Sequence, residues 1–170
     1  SEASRVKSKL TGGHRQLVDA RIALAARRRG VNQKIAAVPK ALHDHPGLLF
    51  ERARWRRKAG QKDTIAPLLV QIDGQDVPEA GRSRLWKERH IAVRKALEAG
   101  KFQTAYALAA PHGLSSGPEF AEAEWLSGWI ALRHNNAPER ALQHFEQLSE
   151  GVSTPISLAR AHYWRGRALA

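Results

Sequence analysis

The segment Pro118-Glu-Phe-Ala-Glu-Ala-Glu-Trp-Leu-Ser-Gly-Trp-Ile-Ala-Leu-Arg-His134 decides the fold class. It places Ala121, Trp125, Gly128 and Leu132 at i, i+4, i+7 and i+11, a single face of an α-helix. Pro118 suits the first helical turn, where its missing N–H leaves no bond unmade. Working outward, Leu17, Val18, Ile22 and Ala25 share a face within 14–29, and Leu48 and Trp55 lie seven apart within 48–59. Strand-like alternation is hard to find. Pro138 and Pro155 read as further helix starts. Breaks at Gly12-Gly13, Gly30, His45-Pro46-Gly47, Gly60, Asp73-Gly74, Gly100, His112-Gly113, Asn135-Asn136 and Gly151 divide the chain into about nine helices.

A repeat emerges from these breaks. Gly30, Gly60, Gly100 and Asn136 are each followed by a short polar turn and a new helix, whose first apolar anchor comes five residues on. Each is a residue type that accepts positive φ after a helix end. The intervals, 30, 40 and 36 residues, are too irregular for regular tetratricopeptide repeats, which run roughly 34. Phe120, Ala121, Trp125 and Gly128 also lay over Leu158, Ala159, Tyr163 and Gly166 at identical offsets. The expected fold is all-α, an α-solenoid or superhelix of stacked antiparallel helix pairs, tetratricopeptide-like. Residues 1–13 read as an N-terminal extension and 14–170 as one superhelical domain, truncated at its C-terminal end. A compact helical bundle is the competing architecture.

Composition sets the outer limits. The chain has 170 residues, 42% of them apolar, enough for a real core. It has no Cys, which excludes disulfides, Cys-zinc sites, iron–sulfur clusters and thiol catalysis. No apolar run is long enough to cross a membrane. The net charge is +12, and residues 1–60 carry 15 Lys/Arg against 4 Asp/Glu. Residues 61–110 are nearly balanced, and 111–170 are slightly acidic. Such asymmetry points to a polyanion, a membrane surface or an acidic partner.

Two clusters hold that charge. Arg27-Arg28-Arg29 precede Gly30; Arg52, Arg54, Arg56, Arg57 and Lys58 surround Trp55 and precede Gly60. Both runs close a predicted helix, where the helix dipole favours cations for structural reasons alone. The functional reading makes Arg27, Arg28, Arg29, Arg54, Trp55, Arg56, Arg57 and Lys58 candidate substrate-binding residues. They would form a basic strip able to hold carboxylates, with Trp55 either stacking on a sugar or packing on Leu48. Arg mixed with aromatics also suits single-stranded nucleic acid. With 6% aromatics and no recognised motif, nucleic acid is not favoured.

Other constellations read as structure. Glu122 and Glu124, two apart on a helix, do not face each other and fit acidic first turns after Pro118. Asp73-Gly74-Gln75-Asp76 lacks the rest of a calcium loop and reads as a plain turn. His43 and His45 precede Pro46 and read as dipole partners at a helix C-terminus. His144 and His162 sit among apolar helical positions and read as packing or hydrogen-bonding groups. No metal, cofactor or catalytic residue is expected.

A family resemblance is carried by Ala105-Tyr-Ala-Leu-Ala-Ala-Pro-His-Gly113, Phe120 to Arg133, His144-Phe145, Gly151-Val-Ser-Thr-Pro-Ile-Ser157 and Ala159-Arg-Ala-His-Tyr-Trp-Arg-Gly-Arg-Ala168. In this order the stretches resemble the superhelical domain of periplasmic soluble lytic murein transglycosylases. The likeness covers residues 94–170, and 14–93 only in helical-hairpin style. It implies a periplasmic protein that acts on peptidoglycan. Such enzymes cut the β-1,4 bond between N-acetylmuramic acid and N-acetylglucosamine, leaving a 1,6-anhydro product. One catalytic Glu, normally followed by Ser, sits in a lysozyme-like domain after the superhelix. No Glu-Ser dipeptide occurs here, and the chain stops at Arg167-Ala-Leu-Ala170 inside an apparent helix. The resemblance therefore implies a non-catalytic fragment that positions its parent enzyme, a carbon–oxygen lyase, on murein or another envelope polyanion. Self-association through the uncapped helical end is a further expectation. A tetratricopeptide-like adaptor for a protein partner is the alternative, with a basic nucleic-acid-binding repeat behind it.

Overall fold

A computed structural model of the chain describes residues 12–170. The proposed extension at 1–13 therefore lies almost wholly outside the described residues. The described chain is all-helical, with nine α-helices and no strand. No described helix is long and apolar enough to cross a membrane. The contacts fall into two compact units that divide between Ile72 and Asp73.

The first unit contains α1 (Gly13–Ala25), α2 (Val31–Ala36), α3 (Pro46–Lys58) and α4 (Ala66–Leu69), with short 3-10 turns at Lys40–Leu42 and Lys62–Thr64. α1 presents Leu17, Ala20, Ala23 and Leu24 to one side at helical spacing. These pack with Val31, Val38 and Leu48, and Ile35, Leu42 and Trp55 close the edge of the cluster. The expected Leu48–Trp55 association is therefore part of this core.

The second unit contains α5 (Glu79–Glu98), α6 (Phe102–Ala109), α7 (Gly117–Arg133), α8 (Pro138–Gly151) and α9 (Pro155–Leu169). α7 and α8 form an antiparallel hairpin. Ala131 lies with Ala141 and Phe145 near the connection, and Phe120 meets Gly151 at the far end. Two glycines let the helices close. A Cβ on Gly128 would lie 2.6 Å from the Phe145 ring, and one on Gly151 would lie 2.2 Å from the Phe120 ring. α9 then lays Trp164 over Phe145, with ring centroids 6.0 Å apart and nearly parallel planes.

The turns repeat a single device. Arg27, Gly60 and Gly100 take φ of 52°, 83° and 68° directly after a helix cap. The next N–H reaches back across the last turn: Arg28 to the Ala23 oxygen, Gln61 to Arg56 and Lys101 to Ala96, at 2.8–2.9 Å. This is the Schellman arrangement, which satisfies carbonyls that a helix end leaves orphaned. Asn136 is also left-handed, at φ 49°, and Gly30, at 74°, caps the start of α2.

Several expectations need correction. Arg27, Arg28 and Arg29 do not close α1, because the helix ends at Ala25 and the three residues form the turn beyond it. His45 does not end a helix. It caps the start of α3, its Nδ1 accepting the Gly47 N–H at 3.1 Å, with Pro46 as the first helical residue. The break expected at Gly151 falls where α8 ends, and Gly151 also makes room for Phe120. The buried face of α7 is also rotated from Ala121–Trp125–Leu132, which are only half-buried, toward Phe120, Ala123, Ser127 and Ala131. Gly128 alone of the expected stripe is buried. The neighbours on both sides of α7, α6 and α8, pull that face around.

Two substitutions test these contacts in opposite directions. Arg27→Gly relieves a left-handed L-residue and raises stability by about 0.5–1 kcal/mol. Gly128→Ala forces a methyl into the Phe145 ring and lowers it by about 1–3 kcal/mol. Urea unfolding at neutral pH measures both.

Candidate functional site

Two recesses hold the chemistry-bearing side chains, one in each unit. In the first unit a groove of about 200 Å³ runs between α1, α2 and α3. Leu24, Val31, Ile35 and Ala36 supply apolar surface; Trp55, Arg52, Arg56 and Asn32 complete the lining. Arg52 and Arg56 lie one turn apart on α3, so their guanidinium groups share a face with Trp55 between them in sequence. Burial, then the charge of Arg56, lower the proton affinity of Arg52 against the opposing pull of Asp44. Arg56 donates from Nη1 to the Thr64 carbonyl at 3.0 Å, which fixes its position.

Only some of the expected residues converge there. Trp55 and Arg56 line the groove. Arg54 turns instead to Glu51, with 3.8 Å between charged atoms. Arg27, Arg28 and Arg29 are exposed on the turn joining Leu24 to Val31, two groove residues. Arg57 is half-buried and Lys58 exposed at the end of α3, where the helix dipole favours both. Arg52 joins the site from within the basic cluster.

In the second unit a cleft of about 570 Å³ opens beside Asp73, Gln75, His112, Glu124, Gln147 and Glu150. Its floor is a buried hydrogen-bond hub that sequence reasoning missed. Glu124 is 4% exposed, not a surface residue of the first helical turn as expected. His112 Nε2 lies 3.0 Å from Glu124 Oε1, and His144 Nδ1 lies 2.6 Å from Oε2. His112 Nδ1 accepts the Leu114 N–H at 3.0 Å, which leaves Nε2 to donate to the carboxylate from a neutral ring. His144 does the same from Nδ1 while its Nε2 meets the Tyr106 hydroxyl at 3.0 Å. With its amide oriented to suit, Gln147 donates to both carboxylate oxygens at 3.0 and 3.2 Å.

Burial raises the Glu124 pKa, but the pull of the His112 and His144 hydrogen bonds outweighs it. The net effect holds the carboxyl below its ordinary range. Glu122, two residues before Glu124, faces α5, where it accepts from Trp86 Nε1 at 3.4 Å and lies 3.5 Å from His90. The two carboxylates thus serve different neighbours. His162, expected to pack or hydrogen-bond, is exposed on α9.

The loop bearing His112 is clamped from both sides. Arg82 donates to the Val77 and Gly113 carbonyls at 2.9 and 2.8 Å. Buried Arg89 donates to the Pro111 carbonyl, and burial pushes its pKa down to about 10 against the pull of Asp73. Gly74 and Gly113 touch backbone to backbone; a Cβ on Gly74 would lie 2.4 Å from the His112 carbonyl. Asp73 Oδ1 accepts the Gln75 N–H at 2.8 Å, so this acidic segment is a side-chain-closed turn, as expected. Among the described residues, no group of three or more His, Asp or Glu is arranged to hold a metal ion.

A saturated carboxylate of this kind is a structural tie. Its acceptor capacity is used by two imidazoles and an amide, and they join α7 to α8 and to the loop before α7. Comparison with known families, curated proteins and solved structures finds no match for the chain.

The tie makes a pH prediction. A carboxyl depressed in the folded state stabilises above its unfolded pKa of 4.5 and loses that contribution as pH falls through the lower folded value. Wild-type stability from this source is therefore complete at pH 6 and falls below pH 4.5. Glu124→Gln costs about 1–3 kcal/mol at pH 7 and flattens the acid limb. Urea midpoints at pH 7 and pH 3.5 read both effects.

Proposed function

We propose that this chain is a non-catalytic superhelical portion of a periplasmic lytic murein transglycosylase, positioning that enzyme on peptidoglycan while a separate domain performs the cleavage. The helix pairs would continue as a tetratricopeptide-like superhelix. The Trp55–Arg52–Arg56 groove carries the reading. An indole beside apolar side chains accepts the flat face of a sugar ring. Two neighbouring guanidiniums accept carboxylates, the groups that murein presents on its stem peptides. Arg52 and Arg56 repel each other in the free protein, so an anion between them relieves a cost that already exists.

The saturated state of Glu124 supports a positioning role over an acid–base one. A general acid needs a proton to give toward a ligand, and this carboxylate is ionised and fully accepted. The basic character of residues 1–60 would also favour approach to an anionic cell-wall polymer. A tetratricopeptide-like adaptor would instead show a saturable protein ligand.

The test is retention on purified murein sacculi beside a DNA competitor at two salt concentrations. The proposal expects retention that DNA does not displace. Arg52→Gln with Arg56→Gln would weaken it at least about tenfold, the effect of about 1.4 kcal/mol, while Arg54→Gln, removed from the groove by Glu51, would change it little. Retention abolished by DNA or by modest salt would reduce the groove to generic basicity.

A further inference from the structure

The first turn of α3 hangs on one residue. Pro46, at the first helical position, has no N–H to place. The Leu48 and Leu49 N–H groups both donate to the His45 carbonyl, at 2.8 and 3.1 Å. The Gly47 N–H donates to His45 Nδ1 at 3.1 Å. Helices are ordinarily capped by Asn, Asp, Ser or Thr, whose oxygens go on accepting in mild acid. α9 follows that rule, with Thr154 Oγ1 accepting the Ser157 N–H at 3.3 Å. The cap of α3 differs in kind, because an imidazole nitrogen accepts only while it carries no proton.

The surroundings admit the neutral ring and oppose the charged one. A proton on Nδ1 would set N–H against N–H at Gly47. The ring also sits at the positive end of the α3 dipole, where a cation is unfavourable. Arg21 of α1 presses on the same point: a Cβ on Gly47 would lie 2.5 Å from its Cζ, and its Nε is buried without an acceptor. Burial, then the charges of Arg21 and His14, lower the His45 pKa from its ordinary 6.5 against the upward pull of its backbone hydrogen bond. Other charges on the neighbouring elements do not reverse this. Lys40 on the preceding 3-10 turn is exposed, exposed Asp44 acts on Arg52, and Glu51 of α3 lies 3.8 Å from Arg54.

We propose that His45 is an acid-operated switch: its neutral ring holds the first turn of α3 closed, and its protonation releases that turn from α1. The release reaches the groove. Leu48 and Leu49 anchor this turn, at 0% and 1% exposure. Leu48 packs in one cluster with Leu24 and Val31, which line the groove together with Arg52, Trp55 and Arg56. Loosening the turn therefore disturbs the groove wall, whichever ligand the groove takes. The sign follows from the depressed folded pKa: the stability from His45 is complete above 6.5 and is lost as pH falls through the lower folded value. Its loss begins at a higher pH than that of the Glu124 tie, which starts below 4.5.

The test is an NMR pH titration of the full chain, from about pH 7.5 to pH 5, that reads the His45 ring, the Gly47 amide and the Trp55 indole together. His45 is expected to titrate below 6.5. With the same midpoint, Gly47 exchange, corrected for its intrinsic pH dependence, quickens about fivefold or more, the effect of losing one cap. The Trp55 indole signal moves with it. His45→Asn places an acceptor that does not titrate at the same position, so Gly47 keeps its protection to pH 5 and Trp55 stays still. A His45 midpoint at or above 6.5 overturns the proposal, because the charged ring is then accommodated. So does Gly47 protection that survives His45 protonation, or that is lost equally in the His45→Asn chain. A Trp55 signal that stays still while Gly47 opens overturns the reach to the groove. The wild-type midpoints decide the matter even where the variant does not fold.

Discussion

The distance of closest approach between α7 and α8 governs the second unit. Gly128 admits the Phe145 ring and Gly151 admits the Phe120 ring, so each helix gives up a side chain to receive an aromatic from the other. Between these contacts sits Glu124, a carboxylate on an otherwise apolar or small face. Ionising it in the interior is unfavourable unless its oxygens are matched by donors. The donors come from α8 and from the loop before α7, so one buried charge ties three segments together. The same requirement explains why Arg82, Arg89 and the Gly74–Gly113 contact hold the His112 loop so firmly.

The first unit follows a different logic. Its described core cluster is aliphatic, and Arg52 and Arg56 gather beside a groove. Trp55 belongs to both, with its ring against the core cluster and at the groove wall. Cations that closed helices for dipole reasons are thereby separated by geometry. Arg54 is neutralised locally, Arg27 to Arg29 leave their helix, and Arg52 with Arg56 remain facing the recess.

Helical periodicity made the all-α class and most turns legible in the sequence. The left-handed positions at Gly30, Gly60, Gly100 and Asn136 followed from residue type alone. Arg27 did not, because nothing local marks an arginine as a helix terminator; the Schellman bonds to Ala23 and Leu24 impose it. The rotation of the α7 face was hidden because period alone does not say which neighbours compete for a helix. Glu124 was the larger miss. Its partners lie 12 and 20 residues away, and pairings of that range are set by tertiary packing. The available signal was its register, one turn from both Phe120 and Gly128 on the packed face. Charge clustering pointed to α3 but not to which of its arginines share a groove.

A nitrogen-15 NMR titration with a murein disaccharide-peptide tests the account most directly, because it watches both recesses at once. Shifts confined to the Trp55 indole N–H and the Arg52 and Arg56 guanidinium resonances, with His112 and His144 unmoved, are the predicted result. Shifts centred on His112, His144 and the cleft around Glu124 would contradict it, making the buried carboxylate part of a binding site and the groove a feature of packing.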